Sequence, residues 1–320
     1  MAHEIDMTAG YAAAAFARTP AWHQLGKVMP DHMTADEALD AAGLDWNVSL
    51  RPVYRTNRNG DLQLIEDRRC VVRDDTDAEL GLVSDKWVPS QNYEQVDFID
   101  ALIGEGAKIE SAGSLRGGKR VWFLVDLKAT FEPVKGDPVE NYLLLLNGHD
   151  GMTCLQAIGT GVRVVCANTL ALAMENAEKK FGRYVRLRHN GKLEENVQLA
   201  KQTLHMLRGQ AEFTALQANY LAKKKMDREK LSHFFAEQVA AMQFPKERSE
   251  LILAQMAEGL ELETNSLPGM RGTAWQAFNV FSEWVDHSPR KMSNSVRMES
   301  VWSGEGSKQK VKAWEALMAV

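Results

Sequence analysis

Cysteine is scarce in this sequence, and its spacing excludes two common kinds of site. The only cysteines are Cys70, Cys154 and Cys166, and no two of them form a C-x-x-C pair. We therefore expect neither a zinc site built from paired cysteines nor a disulfide framework. The same scarcity favours a reducing, cytoplasmic setting.

Long apolar runs are also missing. No stretch approaches the roughly 20 apolar residues that a membrane-spanning helix needs, so we predict no membrane partner. The opening residues, MAHEIDMTAGYAAAAFA, carry no basic segment before their alanines. We therefore expect no export signal.

The chain has no overall excess of basic charge. Its formal net charge is −5, so a nucleic-acid surface would have to be local. The sequence is 45% hydrophobic and 25% charged over 320 residues. These values are typical of a soluble globular protein with one large or two modest domains.

A β-rich stretch at residues 141–176 is the centre of the sequence pattern. An apolar run at 142–146 is followed by Asn147-Gly148-His149-Asp150-Gly151 and by β-rich runs at 154–158 and 162–166. Two such runs around a glycine-rich connection predict a buried antiparallel hairpin, with a break at Gly159-Thr160-Gly161. Asn168-Thr169 then predicts the cap of a helix that begins near Leu170.

Other patterns in the first half predict more hairpins and a few helices. Residues 46–83 alternate between β-rich runs and polar turns, which is typical of a β-meander. The segments 108–111 and 121–127 flank a glycine-rich turn and predict another hairpin. Thr34-Ala35-Asp36-Glu37 fits a helix capping box, and Ser90 is a candidate cap for a helix that ends near Gly104.

The pattern changes near residue 190. Apolar and small residues then recur alternately every four and three positions, which indicates a coiled-coil-like helix over 193–224 with three to four helices after it. We therefore predict an α+β protein with an antiparallel β-rich domain at 1–190 and a helical region at 191–320. The seam predicts either an internal helical hairpin or a homo-oligomer interface. Its positions are Leu193, Val197, Ala200, Leu204, Leu207, Ala211, Thr214, Ala218 and Leu221.

The segment from Gly113 to Arg120, GSLRGGKR, looks like a phosphate-binding loop but departs from that pattern twice. Arg120 stands where a hydroxyl should hold magnesium. The next residues, Val121-Trp122-Phe123, predict a strand and not the helix whose N-terminus would face the phosphates. We therefore predict no nucleotide cofactor. The better interpretation is a basic hairpin turn, which is either solvated or in contact with phosphates.

A basic run between residues 179 and 192 gives the strongest functional signal. Its cations are interleaved with Phe181, Tyr184 and His189, a mixture that suits single-stranded nucleic acid because cations meet phosphates and rings stack on bases. A solvated connector is the alternative. Neutralising several phosphates dominates affinity, so other arginines on the same surface would contribute. The predicted nucleic-acid-binding residues are Arg116, Lys119, Arg120, Arg163, Arg183, Arg186 and Arg188.

His149, Asp150 and Cys166 leave an enzymatic alternative open. His149-Asp150 could form half of a metal site, but no second histidine-rich element accompanies it. A turn in which Asp150 bonds nearby backbone is the simpler interpretation. Cys166 could act as a nucleophile with His149 as its base, although a cysteine in a valine-rich strand is usually inert. We predict no metal and assign no catalytic residue.

Short motifs are spread over nearly the whole chain. They are Trp22-His23-Gln24-Leu25-Gly26, Ala41–Trp46 (AAGLDW), Val83–Asn92 (VSDKWVPSQN), Asn147–Gly151 (NGHDG), Arg163–Leu170 (RVVCANTL), Gly272–Trp275 (GTAW), Asp286-His287 and Trp302-Ser303-Gly304. Together they resemble the domain of unknown function 932 family, the phage/plasmid-like proteins. The resemblance implies a mobile-element origin and no particular activity.

The order of elements is also similar, more weakly, to that of single-strand annealing proteins of the Red-beta and Rad type. That likeness would imply a β-hairpin sheet packed on helices, a basic groove for single-stranded DNA, and assembly into rings or filaments.

The function that we expect is binding of single-stranded nucleic acid by a phage- or plasmid-associated, non-enzymatic protein. ATP-independent annealing or recombination of single-stranded DNA is one specific form of this activity. Two alternatives remain open. One is a metal- or thiol-dependent hydrolase with a pocket at the central hairpin, around His149, Asp150, Arg163 and Cys166. The other is a protein that binds a host factor.

Overall fold

The computed structural model describes residues 6–8, 11–18, 26–103, 108–152, 155–163, 168–170, 184–187, 209, 211–287, 300 and 304–319. The strands are β1 (Met7–Thr8), β2 (Tyr11–Ala12), β3 (Ala14–Ala17), β4 (Lys27–Met29), β5 (Val48–Thr56), β6 (Leu62–Arg73), β7 (Ala78–Ser84), β8 (Lys108–Leu115), β9 (Arg120–Phe131), β10 (Val139–Gly148), β11 (Leu155–Arg163), β12 (Asn168–Leu170) and β13 (Tyr184–Leu187). The helices are α1 (Ala35–Ala41), α2 (Asn92–Ile103), α3 (211–223), α4 (Arg228–Ala241), α5 (Lys246–Gly259), α6 (Ala274–His287) and α7 (Glu305–Ala319), with a short 3₁₀ helix at Glu263–Asn265.

Most strands form one eight-stranded sheet. Its order is β4-β3-β8-β9-β10-β11, and both β12 and β13 pair with the outer edge of β11. Neighbouring strands are antiparallel except for β3 and β4, which are parallel. Strands β8 to β11 are consecutive in the chain, so this part of the sheet is an antiparallel meander.

A second sheet of three strands, β5-β6-β7, is also antiparallel and consecutive. This confirms the predicted meander at residues 46–83. The two β-rich pieces at 62–65 and 70–73 belong to one strand, β6. Its register against β5 shifts between Pro52 and Val53, so residues 66–68 form a bulge where the sequence predicts a turn.

Both faces of the large sheet are buried, which explains the unbroken apolar run in β10. Successive side chains of a strand point to opposite faces. Leu143 and Leu145 therefore join the core with α1, α2 and the three-stranded sheet. Leu144 and Leu146 join Trp122 and Ile158 in a second cluster on the other face. A strand covered on both faces needs apolar residues at every position.

The helical second half has its own core. Trp275, Phe278 and Trp314 pack with ring centroids 4.8–6.1 Å apart, and residues of α3, α4 and α5 surround them. Val134 and Val139, at the β9–β10 turn, join this core. Trp275 Nε1 also donates a hydrogen bond of 2.7 Å to the buried carboxylate of Asp137 in that turn. No described helix is long and apolar enough to cross a membrane.

The observed architecture confirms the predicted α+β class, with strands in the first half and helices in the second. The Thr34 capping box and the hairpin around 113–119 are confirmed. The heptad positions that the structure describes, from Ala211 to Leu221, are buried within the chain's own core. Residues 193–208 of the predicted helix lie outside the described residues.

Two local predictions are wrong. Gly159-Thr160-Gly161 does not break the hairpin. These residues pair with Leu143, Tyr142 and Asn141 of β10, so β11 is continuous through the glycines. Asn168-Thr169 does not cap a helix but lies in β12, paired with Arg163 and Val162. In both places an available strand edge outweighs local preference.

Candidate nucleic-acid interface

The turn between β8 and β9 carries three of the predicted basic residues. Arg116, Gly117 and Gly118 have φ angles of 57°, 70° and 95°, a left-handed path that glycine adopts without strain. Strand β9 begins directly afterwards, at Arg120. The segment is therefore a hairpin turn and not a phosphate-binding loop ahead of a helix, as the sequence predicts.

The end of the sheet at this turn also holds the β10–β11 turn and the end of β13. Arg120 pairs with Leu115 on one side and with Gly148 on the other, so the two turns lie side by side. Strand β13 runs antiparallel to β11, which places Arg186 opposite Gln156 near the start of β11. This end of the sheet thus brings together the backbone positions of Arg116, Lys119, Arg120 and Arg186.

Arg163 lies at the other end of the sheet. It pairs with Val139 and Asn168 at the end of β11. Seven positions of that strand separate it from Gln156, which corresponds to about 23 Å at ~3.3 Å per residue. The structure therefore brings Arg163 together with neither Arg186 nor the His149 turn. Arg183, Arg188, Cys154 and Cys166 lie outside the described residues.

The cations of the β8–β9 turn differ in their surroundings. Arg120 Nε lies 3.6 Å from Asp150 Oδ2, and these two side chains are only 19% and 11% exposed. The ion pair therefore ties the two neighbouring turns together. Arg116 and Lys119 are partly exposed, so they present positive charge to solvent at this end of the sheet.

His149 lies in a buried polar network and not in an open pocket. Its side chain is 0% exposed, and its Nε2 lies 3.1 Å from Oδ1 of Asn92. The edge-on ring of Trp46 is 5.3 Å away, centroid to centroid. Asn92 donates from Nδ2 to the carbonyl oxygens of Leu44 and Trp46. An imidazole without access to solvent cannot meet a dissolved substrate, so this geometry gives His149 a structural role.

Three of the sequence motifs meet at this network. Asn147 donates to the carbonyl oxygen of Ser90 at 3.0 Å. Gln91 exchanges two hydrogen bonds of 2.9 Å with the backbone of Val48, next to the Trp46 motif. Asp150 Oδ1 accepts from the Met152 backbone N–H, the turn bond that the sequence predicts. Within the described ranges, no three His, Cys, Asp or Glu side chains are grouped to hold a metal ion.

A buried arginine, Arg73, lies next to the β8–β9 turn. It is hydrogen-bonded to Asp6 and Asp75, and its guanidinium lies 4.3 Å from the centroid of the Trp46 ring. Burial alone would lower the pKa of Arg73, but the hydrogen bonds to Asp75 and Asp6 outweigh it and raise that pKa. A Cβ on Gly118 would lie 3.1 Å from Trp46, so the turn packs closely against the Trp46 ring.

The three-stranded sheet also contacts the β10–β11 turn. A Cβ added to Gly81 would lie 2.6 Å from the carbonyl carbon of Asp150, and one on Gly151 would lie 2.6 Å from Val83. Such distances exclude any side chain at either position. Strand β7 is therefore held directly against the end of the large sheet where the basic residues lie.

Sequence reasoning missed two groups of residues around this interface. It assigned no role to Arg73 or Trp46, whose contact joins segments far apart in the chain. It also passed over the arginines of the β5–β6 hairpin, although Arg51, Arg55 and Arg58 lie close to Tyr54 in a strand-like segment. This clustering of basic residues around an aromatic one was the available signal.

Comparison with protein families gives one match. The model of a domain of unknown function, DUF932, matches residues 79–302, which includes β8 to β13 and both turns of the interface. Comparison with curated proteins and with solved structures finds no match. Since the matched segment covers well over half of the chain, this protein belongs to the DUF932 family.

Proposed function

We propose that this protein binds single-stranded nucleic acid at the end of the large sheet, through the β8–β9 turn and β13. The observation that carries the proposal is the topology, which brings Arg116, Lys119, Arg120 and Arg186 to one end of one sheet. The chain has a net charge of −5, whereas this end of the sheet holds four cations, one of which, Arg120, pairs with Asp150. Phosphates are the ligands that such a surface attracts.

Single strands fit this surface better than an enzymatic substrate does. Tyr184 lies in β13, two positions before Arg186, and a segment that combines aromatic and basic residues favours unpaired bases. The hydrolase alternative has less support, because the side chain of His149 is buried and Arg163 is distant from it. Annealing of complementary strands, as in a phage or plasmid setting, is the specific activity that we propose to test once binding is established.

Self-association is part of the same proposal, since annealing proteins of the similar type act as assemblies. The heptad positions Ala218 and Leu221 pack inward, so a second copy would use another surface. The opposite side of α3 exposes Phe213, Leu216 and Tyr220. If this side joins two copies, Leu216→Ser lowers the sedimentation coefficient of the protein, whereas an unchanged value would contradict it.

The decisive experiment measures binding of a labelled deoxythymidine oligonucleotide across a salt series. The test variant is Arg116→Gln/Lys119→Gln. The matched control is Arg228→Gln/Lys230→Gln, which removes the same charge from exposed positions of α4. Arg120 is left unchanged because its ion pair with Asp150 holds the two turns together.

We expect the test variant to bind roughly tenfold more weakly than the wild type, while the control binds normally. Its slope of log K against log salt should fall by about 1.4, since two phosphate contacts on a single strand are lost at ~0.7 each. Equal affinities of the test variant and the control would contradict the proposed interface. A wild type that binds no oligonucleotide at low salt would contradict the proposed function itself.

A further inference from the structure

The β5–β6 hairpin extends beyond the sheet to which it belongs. Strand β7 pairs with β6 only over Arg68–Arg73, whereas pairing of β5 with β6 continues to Thr56 and Leu62. Residues 53–65, called the arm below, therefore form a ribbon of two strands and their turn. Four residues per strand at ~3.3 Å each make it project about 13 Å past β7.

The arm carries a net positive charge. Its charged residues are Arg55, Arg58 and Asp61. Arg55 donates to the side-chain oxygen of Gln63, and Asp61 accepts from Asn57. Among the described residues, no carboxylate lies within ion-pairing distance of Arg55 or Arg58. With two arginines and one aspartate, the arm has a net charge of +1.

One face of the arm adds exposed apolar surface to this charge. Tyr54 pairs with Leu64, and Thr56 pairs with Leu62, so these four side chains share a face. Tyr54 and Leu62 are 54% and 75% exposed. Contiguous exposed apolar side chains of this kind mark candidate interaction sites.

The arm belongs to the same three-stranded sheet that contacts both turns of the proposed interface. At the end of β6 furthest from the arm, Arg73 and the neighbouring Trp46 contact Gly118 in the β8–β9 turn. In β7, Gly81 and Val83, which pair with Val71 and Arg69 of β6, contact the β10–β11 turn. The contacts along β6 therefore follow the order of the two turns, and the arm comes after them in the same strand.

We propose that the arm is a second nucleic-acid contact, which holds the same strand as the end of the large sheet. Arg55 and Arg58 would bind phosphates, and the ring of Tyr54 would stack on a base. Charge complementarity selects a nucleic acid over a protein partner, because the arm is positive in a chain of net charge −5. This inference rests on the proposed function but names residues outside the segment that matches the family.

A length series tests the arm directly. The probes are deoxythymidine oligonucleotides of about 8 and about 30 nucleotides, the first within and the second above the roughly 4–16 nucleotides that one groove covers. The arm variant is Arg55→Gln/Arg58→Gln, the interface variant is Arg116→Gln/Lys119→Gln, and the control is Arg228→Gln/Lys230→Gln. All six positions are at least partly exposed, so we expect each variant to fold.

We expect the wild type to bind the long oligonucleotide much more tightly than the short one. The arm variant should bind the short probe normally and lose roughly tenfold in affinity for the long probe, with a salt slope lower by about 1.4. The interface variant should lose affinity for both probes. Wild-type affinity of the arm variant at both lengths would overturn the inference and leave the proposed function standing.

A further result would bear on both proposals, the arm and the interface. Loss of binding in the arm variant alone, with normal binding by the interface variant, would contradict the proposed interface and, with it, the inference that the arm is a second contact. A second copy of the chain is the competing partner for the apolar face. Sedimentation of Leu62→Ser/Leu64→Ser tests this alternative. If that variant no longer self-associates, and if both it and Arg55→Gln/Arg58→Gln bind the long probe normally, the arm is a protein contact and the inference is overturned.

Discussion

Nε2 of His149 and Oδ1 of Asn92 lie 3.1 Å apart where neither side chain reaches solvent. Because Asn92 also holds the backbone of Leu44 and Trp46, this contact joins three segments. We expect His149→Ala and Asn92→Ala each to lower the free energy of unfolding by about 3 kcal/mol, through lost hydrogen bonds and a cavity. Urea denaturation followed by fluorescence measures the change.

The control for this prediction is His233→Ala, on an exposed position of α4. Surface substitutions of this kind change stability by less than about 0.5 kcal/mol. If His149→Ala is instead as stable as the wild type but no longer binds the oligonucleotide, His149 has a functional role.

A buried ion pair in the helical half predicts a different effect of single and double substitutions on stability. Lys310 Nζ donates to Asp286 Oδ1 at 2.7 Å, and both side chains are buried. Burial lowers the pKa of Lys310, although Asp286 opposes this. We expect Lys310→Met alone to cost about 3–5 kcal/mol, because it removes the cation from a buried carboxylate.

The double variant Lys310→Met/Asp286→Leu should recover most of that loss, since an apolar pair has no charge to desolvate. Thermal unfolding of the wild type, both single variants and the double variant completes the cycle. Additive losses in the double variant would show that the two side chains act independently.

Glycine at position 81 allows the three-stranded sheet to pack closely against the end of the large one. A Cβ there would lie 2.6 Å from the Asp150 carbonyl carbon, so we expect Gly81→Ala to cost at least about 2 kcal/mol. Gly209→Ala is the control, because Gly209 is helical and no atom of the described residues lies within 4 Å of the added Cβ. That change should stabilise the protein by about 0.5–1 kcal/mol. Equal effects at the two positions would contradict the close contact.

Glu110 predicts a dependence of stability on pH. Burial raises the pKa of its carboxyl, although Arg18 and His32, at 3.0 and 3.1 Å, oppose the shift. The folded protein therefore binds the proton more readily than the unfolded chain. The stabilisation from this group is present below the unfolded pKa and is lost as pH rises through the folded pKa.

We therefore expect the stability of the wild type relative to Glu110→Gln to increase as pH falls from about 7 to about 4. Denaturation curves across that range measure the difference. Glu258→Gln, at an exposed position of α5, provides the comparison. A relative stability that instead rises with pH would contradict the raised pKa.

Periodicity and turn residues were sufficient to predict those local elements whose signals act within a few residues. The glycine-rich turn at 113–119 predicted its hairpin, and the Thr34 capping box predicted α1, because these signals act within a few residues. The errors at Gly159 and Asn168 share one cause. Both segments pair with β10 or β11 across the sheet, and a contact between distant strands leaves no trace in local propensity.

The candidate site was predicted only in part for the same reason. The basic turn at Arg116 and Lys119 was visible as a local cluster, but its distance from Arg163 depends on the antiparallel course of β11. The burial of His149 depends on Trp46 and Asn92, which lie about 100 and about 60 positions earlier in the chain. Only the assembled sheets bring these residues together.

The position of β3 in the sheet also determines the order in which the chain can fold. Arg18 and Glu110, beside the β3–β8 pairing, are 92 positions apart, whereas β8 to β11 are joined by short turns. Closing so long a loop has a high entropic cost, so the β8–β11 meander should form first. During synthesis the N-terminal strand leaves the ribosome long before its partner exists. The edge of β3 that pairs with β8 must therefore stay open until β8 has been made, and docking of β3 onto β8 should be a late, slow phase of refolding.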